Sequence, residues 1–115
     1  MNMPNQERAA ALLQQEVAAI INQEVRLEGV LLTVGFVDLS PDLKQAKIGI
    51  SVLPDKFYGT ALTAVRRAGG DIKRRLAKQL KWRVVPRLTW EIDSREKKAA
   101  ELEEDFKAIE KDLEK

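Results

Sequence analysis

Apolar residues along this chain change their repeat several times, and each change marks a new element. From Gln6 to Glu24, Ala9, Leu13, Val17, Ile20 and Ile21 recur at helical spacing with no intervening glycine or proline, which predicts an amphipathic helix. From Val30 to Val37 the residues are apolar and β-branched, predicting a strand. Ser40-Pro41-Asp42 then supplies turn chemistry, because proline pre-sets its own φ and aspartate can bond nearby backbone. Beyond the turn, Ala46, Ile48, Ile50 and Val52 alternate with Gln45, Lys47, Gly49 and Ser51. A period of two predicts a strand with one face buried and the other polar, and the short connection makes an antiparallel hairpin with the strand before it.

After Pro54 the repeat turns helical again over Tyr58 to Arg67, and Ile72, Leu76 and Leu80 continue it at intervals of four. Between the two stretches lies Ala68-Gly69-Gly70. Each glycine costs roughly 1 kcal/mol in a helix interior relative to alanine, so the helix is expected to kink or break there. Leu88, Trp90 and Ile92 alternate with Arg87, Thr89, Glu91 and Asp93 as a third strand after Pro86. The order helix, strand, strand, helix, kinked helix, strand describes an α+β domain with helices on one face of a three-stranded sheet.

Composition narrows the chemistry. The 115 residues contain neither cysteine nor histidine, which removes disulfides, zinc sites and the commonest general base near neutral pH. Asp38, Asp42, Asp55 and Asp93 could in principle hold magnesium, but no two of them form a recognisable metal motif. No catalytic residue, metal or cofactor is therefore expected. No apolar run reaches the roughly 20 residues that span a bilayer, and no secretory pattern opens the chain, so a cytoplasmic protein without membrane contact is expected.

The net charge of +2 conceals a strong asymmetry. Residues 1–65 carry a net −2 and residues 91–115 a net −4. Residues 66–87 carry a net +8, from Arg66, Arg67, Lys73, Arg74, Arg75, Lys78, Lys81, Arg83 and Arg87 against Asp71 alone. Those nine are the candidate polyanion-binding residues. At 100° per residue, Arg67, Arg74, Lys78 and Lys81 fall within about 60° of one another, opposite Ile72, Leu76 and Leu80. Such a stripe can track phosphates, although a solvated helix face has the same spacing. Aromatic residues make up only 5% of the chain, so recognition is expected to rest on shape and phosphates more than on stacked bases. Trp90 is in phase with Leu88 and Ile92 and is assigned to the core. Trp82, beside Lys81 and Arg83, is the one candidate for stacking, with packing the preferred reading.

Three stretches carry a family resemblance. Leu80-Lys81-Trp82-Arg83-Val84-Val85-Pro86-Arg87-Leu88-Thr89-Trp90-Glu91-Ile92-Asp93-Ser94 is similar to a pattern of leucine, basic residues, proline, leucine, aromatic and aspartate in the bacterial ribosome-binding factor A family. Val37-Asp38-Leu39-Ser40-Pro41-Asp42-Leu43-Lys44-Gln45-Ala46-Lys47 resembles its strand-turn-strand segment, and Ala68-Gly69-Gly70 before Ile72 resembles its interhelical Ala-x-Gly kink. The match runs from about residue 8 to 94. Lys73 stands where the pattern has arginine and Trp90 where it has phenylalanine.

The resemblance implies a KH-like fold of type II topology over residues 1–94. It implies a factor that binds the free 30S small ribosomal subunit and its 16S rRNA, assists late rRNA maturation and processing, is often needed in the cold, and leaves before translation. A monomer is expected. Two other readings stay open at this stage: a generic KH-like RNA-binding module, and an interaction protein working through its C-terminal segment. For that segment, Leu102, Phe106, Ile109 and Leu113 are spaced by four, three and four, which predicts an amphipathic helix over residues 95–114.

Overall fold

The computed structural model describes residues 5–95. Helix α1 spans Gln6–Glu24, as its periodicity predicts, and buries Ala9, Leu13, Val17, Ile20 and Ile21. Asn5 caps it, its side chain accepting from the Arg8 N–H at 2.9 Å, so one of the orphan donors at the helix start is satisfied. The Gln6 amide donates to the Leu39 carbonyl at 2.7 Å and ties the start of α1 to the end of the first strand.

Strands β1 (Leu31–Leu39) and β2 (Gln45–Leu53) form the antiparallel hairpin. The turn between them works as its residues suggest. Ser40 Oγ donates to Asp42 Oδ1 at 2.6 Å, the Lys44 N–H donates to the same oxygen at 3.0 Å, and the Leu43 N–H reaches the Ser40 carbonyl at 2.9 Å. The Ser40 hydroxyl, then the Lys44 N–H, hold the Asp42 carboxyl below its ordinary range. Leu43 itself has a φ of 61°.

Two features of the hairpin depart from the simple alternation. The register shifts between Val34 and Phe36, so that Leu32, Val34, Val37 and Leu39 all pair with the inward residues Val52, Ile50, Ile48 and Ala46. The extra residue in β1 is a bulge that restores the phase of the apolar side chains after Gly35. In addition, Gly49 and Ser51, expected on the polar face, are buried. Phe36 lies opposite Gly49, and a Cβ there would run into its ring. The aromatic ring thus fills the space left by a missing side chain and covers the middle of β2.

After a 3₁₀ turn at Asp55–Phe57, helix α2 runs uninterrupted over Tyr58–Leu80. Of the kink or break expected at Ala68-Gly69-Gly70, a break does not occur: the 23 residues are one continuous helix. The cost of two glycines, roughly 2 kcal/mol, is outweighed by burial of Ala61, Val65, Ile72, Leu76 and Leu80, since a single buried Leu or Ile side chain is worth about as much. Helix α2 leads to β3 (Arg87–Ile92), which pairs parallel with β2, as a crossover by a long helix allows. The sheet order is β1-β2-β3.

The core joins the inner residues of α1 and α2 to Leu32, Leu39, Ala46, Ile48, Ile50, Val52 and Trp90. Trp90 is the core residue its phase indicates, set beside Ile48, while Trp82 is half-buried against the same cluster. The domain is α+β with the KH-like type II element order, its second and third helical stretches fused into one. The helix expected over residues 95–114 lies outside the described residues.

Candidate nucleic-acid interface

Helix α2 carries most of the predicted cations, and its core-facing residues fix where each one points. With Ile72, Leu76 and Leu80 buried, Arg67, Arg74 and Lys78 stand exposed on the opposite side. Arg74 pairs with Asp71 one turn before it, both well exposed. An exposed pair of this kind contributes about 1 kcal/mol or less, so a phosphate can displace the aspartate at little cost.

Lys81 does not continue this row. It is the C-cap of α2, with φ 52° and ψ 27°, so the helical wheel cannot be extended to it. Its charge, with that of Arg83, belongs to the exposed connection before β3. Arg75 is also set apart. Its guanidinium donates to Glu24 Oε1 at 2.5 Å and to the Gln23 side chain, bracing α2 against the end of α1. Two of its five donors are engaged in this surface contact, so Arg75 braces the two helices while its side chain stays partly exposed.

Arg66 and Lys73 point to a third side, towards β3. They rim a groove of about 510 Å³ with Arg87 and Thr89 on the strand side and Gly69 and Gly70 on the helix side. The two glycines leave that stretch of helix without side chains. A Cβ at Gly70 would meet nothing within 4 Å, and one at Gly69 would touch only Trp90 Nε1 at 3.9 Å. Among the described residues, none of Arg66, Lys73 and Arg87 has a salt-bridge partner. The nine predicted cations therefore fall into an outer row, a groove, an exposed connection and one structural brace.

The four aspartates considered as metal ligands do not converge. Asp42 organises the hairpin turn, Asp55 starts the 3₁₀ turn, and Asp38 lies opposite Lys47 on the hairpin. Asp93 is 5% exposed and is held by Arg95, whose Nε and terminal nitrogen donate to its two oxygens at 3.0 and 2.9 Å. That contact lowers the Asp93 pKa against the opposing effect of burial. Arg95 also donates to the Gly35 carbonyl at 2.9 Å and lies 5.1 Å from the centroid of the Phe36 ring. These residues form a clasp between the end of β3 and the bulge in β1. Sequence reasoning misses it, and the glycine inside the apolar run from Val30 to Val37 is its one signal.

Among the described residues, no helix is long and apolar enough to cross a membrane. A family model described as ribosome-binding factor A matches residues 5–106. The ribosome-binding factor A of Staphylococcus epidermidis is 37% identical over 95 residues, covering 81% of this chain and 82% of its own. The crystal structure of ribosome-binding factor A from Thermus thermophilus superposes with a TM-score of 0.66 at 27% identity, covering 77% of this chain and 97% of that one. A homology model of the T. thermophilus factor, fitted into the cryo-EM map of a 30S complex, gives 0.63 at 28% identity over 73% of this chain and 90% of that one.

Proposed function

Because this chain belongs to the ribosome-binding factor A family, we propose that it binds the small ribosomal subunit, as its T. thermophilus relative does in the 30S complex. The observation that carries the mechanism is the outward row of Arg67, Arg74 and Lys78 on an uninterrupted helix whose opposite side is locked into the core. Phosphates of the 16S rRNA approach this row, displace Asp71 from Arg74 and release condensed counterions, the main source of affinity for a nucleic-acid backbone. Arg66, Lys73 and Arg87 around the groove, and Lys81 and Arg83 on the connection, extend the positive surface to either side. The factor holds RNA and catalyses no reaction on it. Assistance in late rRNA maturation and processing, action in the cytoplasm and a greater need in the cold belong to the same proposal.

Co-sedimentation tests it. The wild-type chain is expected to travel with free small subunits and not with whole ribosomes, and Arg74→Glu with Lys78→Glu is expected to abolish the association while the unfolding midpoint holds. Three phosphate contacts, each with a salt slope of about −0.7 to −0.9, predict roughly thirtyfold weaker binding between about 50 and 200 mM salt. Undiminished association of the folded double variant would remove the row from the mechanism. Equal competition by unrelated free RNA would make the chain a general RNA-binding module.

A further inference from the structure

The groove between α2 and β3 has a property that the outer row lacks: one wall is the open edge of a sheet. Among the described residues the strand order ends at β3. The Arg87 N–H donates to the Lys44 carbonyl at 2.8 Å and the Asp93 N–H to the Ile50 carbonyl at 2.7 Å. In a parallel ladder the bonding residues alternate, so Arg87, Thr89, Glu91 and Asp93 turn their backbone groups to β2, while Leu88 and Trp90 turn theirs into the groove. Unpaired strand groups of this kind are a template for another extended chain. Across from them, Gly69 and Gly70 leave the room that a second backbone needs.

We propose that this groove takes an extended acidic polypeptide segment as a fourth strand on β3. Main-chain hydrogen bonds to Leu88 and Trp90 supply the pairing, and Arg66, Lys73 and Arg87 select the charge. Among the described residues, no carboxylate lines the groove. A second copy of this strand, in which Glu91 offsets Arg87, offers those cations less negative charge than a uniformly acidic segment does. A single RNA strand gains no base stacking here and would be held by its phosphates alone: among the described residues the one ring lining this groove, Trp90, is 9% exposed and packs in the core beside Ile48. The composition of residues 96–115, rich in Ala, Glu and Lys, is a poor match for an added strand, and the proposed partner is therefore another chain.

A fluorescein-labelled octapeptide alternating glutamate with valine is the probe, titrated into the full chain beside a lysine–valine octapeptide and octauridylate. The expected result is binding of the acidic peptide alone, with amide shifts concentrated at Leu88 and Trp90 in ¹⁵N-correlated spectra. Lys73→Glu with Arg87→Glu weakens it at least tenfold. Leu88→Pro abolishes it without disturbing the β2 ladder, because that N–H points outward. Gly70→Glu, whose new side chain enters open space, serves as a second blocking variant that leaves the helix intact. Arg74→Glu with Lys78→Glu leaves the peptide affinity within twofold, which separates this site from subunit binding. Equal binding of the lysine peptide, shifts confined to the outer row, or tighter binding of octauridylate than of the acidic peptide in the groove would each overturn the assignment.

Discussion

Asp93 Oδ2 occupies the place where a side chain on Gly35 would begin: a Cβ built on Gly35 would fall well inside van der Waals contact with that oxygen. The carboxylate cannot retreat freely, because Arg95 holds both of its oxygens and the Asp93 N–H is bonded to Ile50. The clasp and the bulge therefore require each other. Gly35→Ala is expected to destabilise the domain by about 2–4 kcal/mol, at the upper end of what forced rearrangement of a packed site costs. Chemical denaturation of the variant beside wild type measures it, and a loss below about 1 kcal/mol would show that the carboxylate yields easily.

Gly70→Ala is expected to act in the opposite sense. The helix is continuous there and a Cβ meets nothing within 4 Å, so alanine should stabilise by about 0.5–1 kcal/mol through helix propensity and a less disordered unfolded chain. The same denaturation series reads the gain. A concurrent fall in small-subunit affinity is the mark of a binding role for the Ala68-Gly69-Gly70 segment, and full affinity would make the glycines a tolerated pair.

Lys81 combines two effects that one substitution separates. With φ at 52° it strains the helix end, where glycine pays no such cost. Lys81→Gly should raise stability by up to about 1 kcal/mol. If Lys81 also meets a phosphate, the magnitude of the salt slope for subunit binding should fall by about 0.7–0.9. Thermal unfolding and a salt titration on the same variant report the two separately.

Acid stability should depend on Arg95. The Asp93 carboxyl is held below the ordinary carboxylate range, chiefly by the Arg95 side chain, with burial acting against it. The folded pKa is thus lower than the unfolded one. The carboxylate's contribution is complete above the unfolded pKa and disappears as pH falls through the lower folded value. Arg95→Ala removes the principal cause and leaves the burial, so its acid unfolding should begin at higher pH than in wild type, with stability also reduced at neutral pH. Unfolding midpoints from about pH 2.5 to 7 check the order of the two curves.

Much of this fold can be read from spacing. Helix α1 keeps one apolar repeat from Ala9 to Ile21 behind an asparagine cap, and the hairpin turn carries its own chemistry in Ser40, Pro41 and Asp42. The departures have physical reasons. A mostly apolar run such as Val30 to Val37, interrupted only by Thr33 and Gly35, gives no clear phase, so the bulge at Gly35 is hidden, and with it the burial of Gly49 beneath Phe36. Two glycines signal a helix end only if little else holds the helix, and five buried positions hold α2 through them. The outer row is legible because its residues share the helix period. Lys81 falls outside it because the period stops at Leu80, and the engagement of Arg75 is invisible in the sequence because Gln23 and Glu24 lie some fifty positions away.

The continuity of α2 also bears on what kind of RNA surface suits it. Twenty-three residues at about 1.5 Å each make a strut of about 35 Å, on which Arg67 and Lys78 stand roughly 16 Å apart. A hinged pair of helices could adjust that separation over a wide range, whereas a continuous hydrogen-bonded helix holds it within a narrower one. The row then behaves as a calliper set to one opening: a surface whose phosphates are held at the matching separation can meet both ends at once, whereas a flexible strand must lose chain entropy to do so. If the row meets rRNA as proposed, preference for a folded particle over free RNA follows from stiffness, without any base being read.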